Sequence, residues 1–455
     1  MDKLKKNLMM RLVKCLDVVL LTVPFAVAWY AWYADRAIVQ FYRKGNWVVI
    51  ALFVLLYFLC ARIYEAFRIE LNRVSELIYS QVLAALIADG GMFLIIWLLN
   101  LYVPAVWPIL LAFAAQVALA ALWCLLAHRW YYSNFRPERT VIVYDSRTGL
   151  EELINSYGLS SRFQVTDAVA AEKVLQDPDK ALQGAEAVFL CGISSHDRNA
   201  ILKKCVAENI AVYVMPRIGD VIMSGAKPMH LFHLPVLQVE RYDPQPEFVL
   251  VKRLFDIVCS GTALLVLSPV MIVLALVIHF YDGGPALYAQ CRLTKDGKKF
   301  MLHKFRSMRV DAEKDGVARL STGENDSRIT PIGRVIRACR LDELPQLMDI
   351  LRGDMSIVGP RPERPEIAAQ YEEDLPEFAL RLQAKAGLTG YAQVYGKYNT
   401  TPYDKLQMDL MYIAKPSLLE DLRIILATVK ILFMKESTEG VAEGQTTAEK
   451  EKAVR

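Results

Sequence analysis

Long uninterrupted apolar runs constrain this chain more than any other feature. They cover residues 15–34, 47–61, 77–99 and 103–127, and one further run covers 257–280. A bilayer core takes about 20 apolar residues in helical form. Each run approaches that length, and the short one over 47–61 must tilt or borrow flanking residues to reach it. The first run is too long for a signal-peptide core, and no small-residue cleavage site closes it. Trp29, Trp32, Trp47, Trp97 and Trp107 stand near the run ends, where interfacial aromatic belts form. The 54% hydrophobic composition is the consequence of these runs. The net charge of +4 gives no argument for a nucleic-acid partner.

Lysine and arginine distribution sets an orientation. The first 14 residues, the 62–76 loop and the exit over 128–139 are basic, whereas the 35–46 loop carries only Arg36, Arg43 and Lys44. The positive-inside rule therefore places both ends of a four-helix bundle in the cytoplasm. Asp17 and Asp89 fall within or near spans. A transport role is conceivable, but no charged partner can be identified, and a polar contact between helices is the better reading. The eight cysteines form no C-x-x-C pair, and the six histidines form no H-E-x-x-H, so neither a disulfide framework nor a zinc site is expected.

Residues 138–245 alternate short β-branched or apolar runs, at 140–144, 187–191 and 211–215, with helical patterns such as 197–208. This alternation predicts a small α/β domain with a parallel sheet. The turn after its first strand reads Asp145-Ser146-Arg147-Thr148-Gly149 and lacks the glycines through which backbone approaches a pyrophosphate. NAD binding is not expected, and a structural or assembly role is. The stretch 242–246 reads as the linker out of it.

The run over 257–280 has no formal charge and is long enough to span. Ser268-Pro269 interrupts its middle, and a proline there removes a backbone hydrogen bond and bends a helix. Basic residues flank it on both sides, with Lys252 and Arg253 before and a basic cluster over 291–309 after. A re-entrant hairpin over about 254–281 keeps both clusters beside anionic headgroups on one face, with Ser268 satisfying backbone groups freed at the bend. Near the end, apolar residues from Leu418 to Phe433 recur at helical spacing between basic ones. They predict an amphipathic helix, preferentially on the membrane surface. The polar tail over 436–455 is expected to be disordered.

Between these membrane elements lie short motifs rich in Gly, Pro, Asp and Arg. Asp342 and Glu343 are adjacent carboxylates beside Arg337 and Arg340. Taken alone, such a pair is more often a helix start or a surface ion pair. Arg361 stands between Pro360 and Pro362, which fix the backbone and hold its guanidinium ready for a bidentate phosphate contact. Lys304 and Arg306 add cations that serve a phosphate site or a membrane surface equally well.

These segments occur in a recognisable order: Asp256 after Lys252-Arg253, the Ser268-Pro269 break, Lys304-Phe305-Arg306-Ser307-Met308, Asp342-Glu343-Leu344-Pro345-Gln346, Gly359-Pro360-Arg361-Pro362, and Gly387-Leu388-Thr389-Gly390-Tyr391-Ala392-Gln393-Val394. Together they resemble the monotopic phosphoglycosyl transferases, or bacterial sugar transferases, over residues 250–435. The whole layout resembles the large members of that family. The resemblance implies a fold of three parts: a helical membrane bundle over 1–133, a Rossmann-like α/β domain over 138–245, and a mostly α monotopic catalytic domain with a re-entrant membrane helix.

It also implies the chemistry. A hexose-1-phosphate, from UDP-glucose or UDP-galactose, would pass to undecaprenyl phosphate in two steps through a sugar-phosphoryl aspartate, initiating polysaccharide synthesis. Asp342 would be the nucleophile and Glu343 its assistant. Both would hold Mg²⁺, and Lys304, Arg306, Arg340, Arg361 and Pro362 would surround the substrate phosphates. The setting would be the bacterial inner membrane, with the catalytic domain cytoplasmic and the protein a homodimer. Ala386, where the family often has proline, departs from the pattern. Two rivals remain: a catalytically inactive scaffold of polysaccharide assembly, and a polytopic transferase with its site between spanning helices.

Overall fold

The computed structural model describes residues 3–36, 43–100, 102–145, 149–242, 244–309, 328–396 and 400–432. These fall into two compact units that divide between Val214 and Met215.

The first unit opens with four long helices: α1 (Lys3–Ala28), continued by a π-helical turn (Trp29–Tyr33), α2 (Arg43–Ile63), α3 (Val74–Leu98) and α4 (Trp107–Asn134). All four are long and apolar enough to cross a membrane. The 47–61 run does borrow its flanks, giving α2 a full 21 residues. Leu21, Phe25 and Phe53 are fully buried between helices, and Leu12, Val19 and Leu55 are exposed. An exposed leucine face of this extent suits lipid and not water. Asp17 accepts a hydrogen bond from Gln81 Nε2 at 2.8 Å, which is the interhelical contact expected of it. Trp29 does not belong to an aromatic belt. It is buried, and its Nε1 donates to Asn46 Oδ1. Trp47, Trp97 and Trp107 are exposed.

The same unit continues as β1 (Glu138–Tyr144), α5 (Leu150–Ser156), β2 (Phe163–Ala170), α6 (Ala171–Gln176), α7 (Pro178–Ala181), β3 (Ala187–Cys191), α8 (Ser195–Ala207) and β4 (Ala211–Val214). The strands form one parallel sheet in the order β2-β1-β3-β4. Ser194 caps α8 by accepting from Asp197 N. β2 escapes the sequence pattern because it is an edge strand with mostly exposed side chains. Ser146–Thr148 of the turn after β1 lie outside the described residues.

The second unit begins with α9 (Ile218–Ser224) and an antiparallel hairpin, β5 (Lys227–Leu231) with β6 (Leu234–Gln238). α10 (Pro246–Asp282) follows as a fifth helix long and apolar enough to cross a membrane. Hydrogen bonding continues through Pro269, so the expected hairpin is not two helices separated by a loop. The proline leaves the Leu265 carbonyl without its amide donor, and Ser268 Oγ donates to that carbonyl at 2.8 Å. Only 6% of the apolar stretch of α10 is buried, against 28–44% in the four helices of the first unit.

The rest of the unit comprises the hairpin β7 (Leu287–Leu293) and β8 (Lys299–Phe305), then α11 (Pro331–Ala338), α12 (Gln346–Arg352), β9 (Ser356–Val358) and α13 (Pro365–Asp374). β10 (Gly387–Thr389), α14 (Tyr391–Tyr395), α15 (Pro402–Ala414) and α16 (Leu418–Leu432) complete it. Both arms of α10 dock here. Ala263 and Leu264 pack against the core of Phe300, Leu302, Leu347 and Ile350, and Ile278 joins Phe305 and Ile336.

The flanking basic pair is committed to this docking and not to headgroups. Lys252 pairs with buried Asp421 at 2.6 Å, and Arg253 donates to the Ile350 and Leu351 carbonyls at the end of α12. Both carbonyls lie in the last turn of α12, where the partial negative charge of the helix end favours a cation. α16 likewise packs on the domain through Asp421, Ile424 and Thr428, leaving Leu418, Leu419 and Leu422 exposed. The expected stretch beyond Leu432, with Phe433 and the 436–455 tail, lies outside the described residues.

Candidate active site

The carboxylate pair lies in a reversal between two short helices. Thr330 caps α11 by accepting from Gly333 N, and Pro331 occupies its first turn. Two residues beyond the end of the helix, Arg340 takes a left-handed conformation with φ 53°. That region costs a non-glycine residue about 1–3 kcal/mol and is found where a site demands it. A 3₁₀ turn over Leu341–Glu343 follows, and α12 starts at once behind Pro345.

Glu343 Oε1 accepts from Lys304 Nζ and from Arg361 NH2, each at 3.0 Å. Three separated segments thereby meet at one carboxylate oxygen: the end of β8, the turn after α11 and the loop after β9. Burial by itself pushes the Glu343 carboxyl up, but Lys304 and Arg361 outweigh it and hold the group well below the usual carboxylate range. Asp342, 9% exposed, goes the other way. Burial raises it, the Glu343 charge raises it further, and Lys304, Arg337 and Arg361 only partly compensate. Burial and Arg361 together lower the Lys304 ammonium despite its partner Glu343. Two adjacent carboxyls with opposed shifts form an arrangement that can separate a charged anchor from an oxygen nucleophile or base.

The Arg361 side chain is 42% exposed, against 13% for Glu343 and 22% for Lys304. It is the most exposed side chain of the three. Its loop is pressed against β10. Gly359 N donates to the Thr389 carbonyl and Gly387 N to the Pro360 carbonyl, both at 2.9 Å. A Cβ at Gly387 would stand 2.1 Å from Gly359 N, so only glycine permits this approach.

Not every residue expected at the site reaches it. Arg340 forms the reversal, and its charge acts on Glu343. Pro362 is buried, and its carbonyl accepts from Arg292 NH1 at 3.1 Å. Arg306 is not brought to the carboxylate pair. It is buried beside Gly284 and the end of α10, where its NH2 lies 3.5 Å from the Ile278 carbonyl. One participant escapes the sequence reading altogether. Asp349, fully buried on α12, accepts from His303 N at 2.9 Å and lies 2.7 Å from His303 Nδ1, pinning β8 beside Lys304. No spacing in the sequence signals this pair. Among the described residues no group of three or more His, Cys, Asp or Glu side chains gathers into a metal cluster.

This geometry lies within the stretch 247–435, which matches the family model described as bacterial sugar transferase. The chain is 33% identical over 51% of its length to the UDP-N-acetylgalactosamine-undecaprenyl-phosphate N-acetylgalactosaminephosphotransferase of Aeromonas hydrophila, spanning 54% of that protein. It is 40% identical over 40% of its length to the UDP-glucose:undecaprenyl-phosphate glucose-1-phosphate transferase of Caulobacter vibrioides, spanning 69% of it. With the exopolysaccharide production protein PSS of Rhizobium leguminosarum it shares 42% identity over 40% of its length, which spans 94% of that relative. The first of these relatives is therefore covered over about half its length, the last almost entirely. The ordered motifs, the site they assemble and these matches place the chain in the bacterial sugar transferase family.

Proposed function

We propose that the protein transfers a hexose-1-phosphate from a UDP-sugar, UDP-glucose or UDP-galactose, to undecaprenyl phosphate, releasing UMP. The observation that carries this reading is the meeting of Asp342 and Glu343 with Lys304 and Arg361 inside the matched stretch. An Asp342 oxygen attacks the β-phosphorus of the donor. The bond from that phosphorus to the bridging oxygen breaks, and UMP leaves with the electron pair. The sugar-phosphoryl aspartate is then attacked by an oxygen of the lipid phosphate, which restores the Asp342 carboxylate and gives the diphosphate-linked sugar lipid. Arg361, the most exposed of the three side chains, takes up charge on the donor phosphates, and Glu343, itself paired with Lys304, holds it in place.

Mg²⁺ suits the donor set. A hard cation of this size is commonly held by one or two carboxylates together with substrate phosphates and water, and Asp342 and Glu343 offer that number. Bound there, it would offset diphosphate charge. The re-entrant arrangement is supported by the return of both arms of α10 to one globular unit. A straight helix of 37 residues would reach about 55 Å away. The basic loops of the first unit support a cytoplasmic placement of this unit at the inner membrane. The homodimer implied by the resemblance is read as twice the 51.5 kDa chain mass in detergent.

The test is UMP release from a panel of UDP-hexoses with undecaprenyl phosphate and Mg²⁺. Release with one donor, abolished by Asp342→Asn, supports the proposal and names the sugar. Absence of release with every donor favours the inactive scaffold.

A further inference from the structure

Around the backbone of residues 361–363 lies a set of buried charges that the transfer chemistry does not use. Arg381, 3% exposed, precedes β10. Its Nε and NH2 lie 2.8 and 2.6 Å from Asp409 Oδ2 on α15, and its NH1 is 3.6 Å from Glu363 Oε1. The same NH2 donates to the Arg361 carbonyl at 2.9 Å. Glu363 Oε2 is 3.9 Å from Arg292 NH1 on β7, which donates to the Pro362 carbonyl. Burial and the neighbouring Arg361 hold Arg292 down to about 10. Consecutive carbonyls, those of 361 and 362, are thus each gripped by an arginine, and Glu363 faces both.

Buried ion networks are costly to assemble and do not by themselves stabilise a fold. A guanidinium can hold a carboxylate with one edge and spare a hydrogen for a carbonyl, which an ammonium cannot do in the same geometry. The network applies this capacity to the backbone of Arg361, whose guanidinium pairs with Glu343.

We infer that Arg381, anchored by Asp409, is a positioning residue that fixes the Arg361 backbone so that its guanidinium is preset for the donor diphosphate. The inference rests on the transferase reading for the identity of the ligand. It makes α15, which carries no residue of the recognised motifs, part of phosphate binding.

The test is a double-substitution cycle with Arg381→Lys and Arg361→Lys in the full-length protein. Lysine at 381 keeps a charge for Asp409 but loses the carbonyl contact. The cycle is read both in kcat/KM for UMP release and in the affinity for UDP without lipid acceptor. Acting through Arg361, Arg381→Lys lowers both about tenfold in the parent and by less than twofold once Arg361 is already lysine. Equal losses in the two backgrounds overturn the inference and leave a purely structural role. If Arg381→Lys fails to fold, Glu363→Gln, which loosens the same network from its rim, takes its place, and the same non-additivity decides. A parent that binds UDP but releases no UMP sinks the transferase reading, while the binding cycle still decides this one. A parent that does not bind UDP overturns both.

Discussion

Asp342 and Glu343 differ in surroundings more than in chemistry. Glu343 is surrounded by cations and stays charged, whereas burial and the Glu343 charge lift Asp342. A nucleophilic carboxyl must be ionised. Activity is therefore lost as pH falls through the raised Asp342 value, and the acid limb of kcat lies above the ordinary aspartate value of about 3.9. Glu343→Gln removes the charge that raises Asp342 and frees Lys304 and Arg361 to pair with it. The limb should then move to lower pH, with residual activity reduced on the order of 10²-fold. A pH–rate profile of both proteins checks this, and an unmoved limb assigns the titration elsewhere. The sequence made the identities of Asp342, Glu343, Lys304 and Arg361 legible through ordered motifs. It did not show that a single oxygen of Glu343 joins three segments, since that depends on a tertiary turn at a left-handed Arg340. Nor does motif membership show that Arg306 is buried against the end of α10, since burial is set by the tertiary fold.

Elements were legible where a periodic apolar pattern met a lipid or core surface. The four bundle helices, α10 and strands β1 and β3 follow from it. The edge strand β2 and the exposed hairpin β5–β6 do not, because little of either is buried. The role of the α10 flanks was also hidden. Lys252 and Arg253 look like headgroup contacts in one dimension but are tied to Asp421 and to the end of α12. The β9–β10 pairing offers a sharp test at this scale. Gly387→Ala places a methyl against the Gly359 amide, an overpacking expected to cost about 1–3 kcal/mol. It should lower the melting temperature and weaken donor binding together, since Gly359 begins the Arg361 loop. An unchanged melting temperature would mean that the two loops part more easily than their hydrogen bonds indicate.

On the scale of the whole molecule, the division at Val214 and Met215 has a practical consequence. Val221 on α9 is buried in the core formed with Leu406 and Leu410 of α15. A fragment beginning at residue 215 should therefore retain transfer in detergent, whereas one beginning at 250 loses Val221 and the first turn of α10. Membrane topology is tested by single cysteines placed at the exposed positions Glu247 and Lys298 in a cysteine-free background. A re-entrant α10 leaves both open to an impermeant maleimide from the same membrane face. Labelling from opposite faces would establish a spanning helix.

The measurement that bears most directly on the account is the mass of the protein trapped with UDP-sugar before acceptor is added, followed by peptide mapping. A sugar-phosphate adduct is expected on the peptide carrying Asp342, absent from Asp342→Asn and discharged by undecaprenyl phosphate. An unmodified protein that nonetheless turns over, or an adduct at another residue, would contradict it.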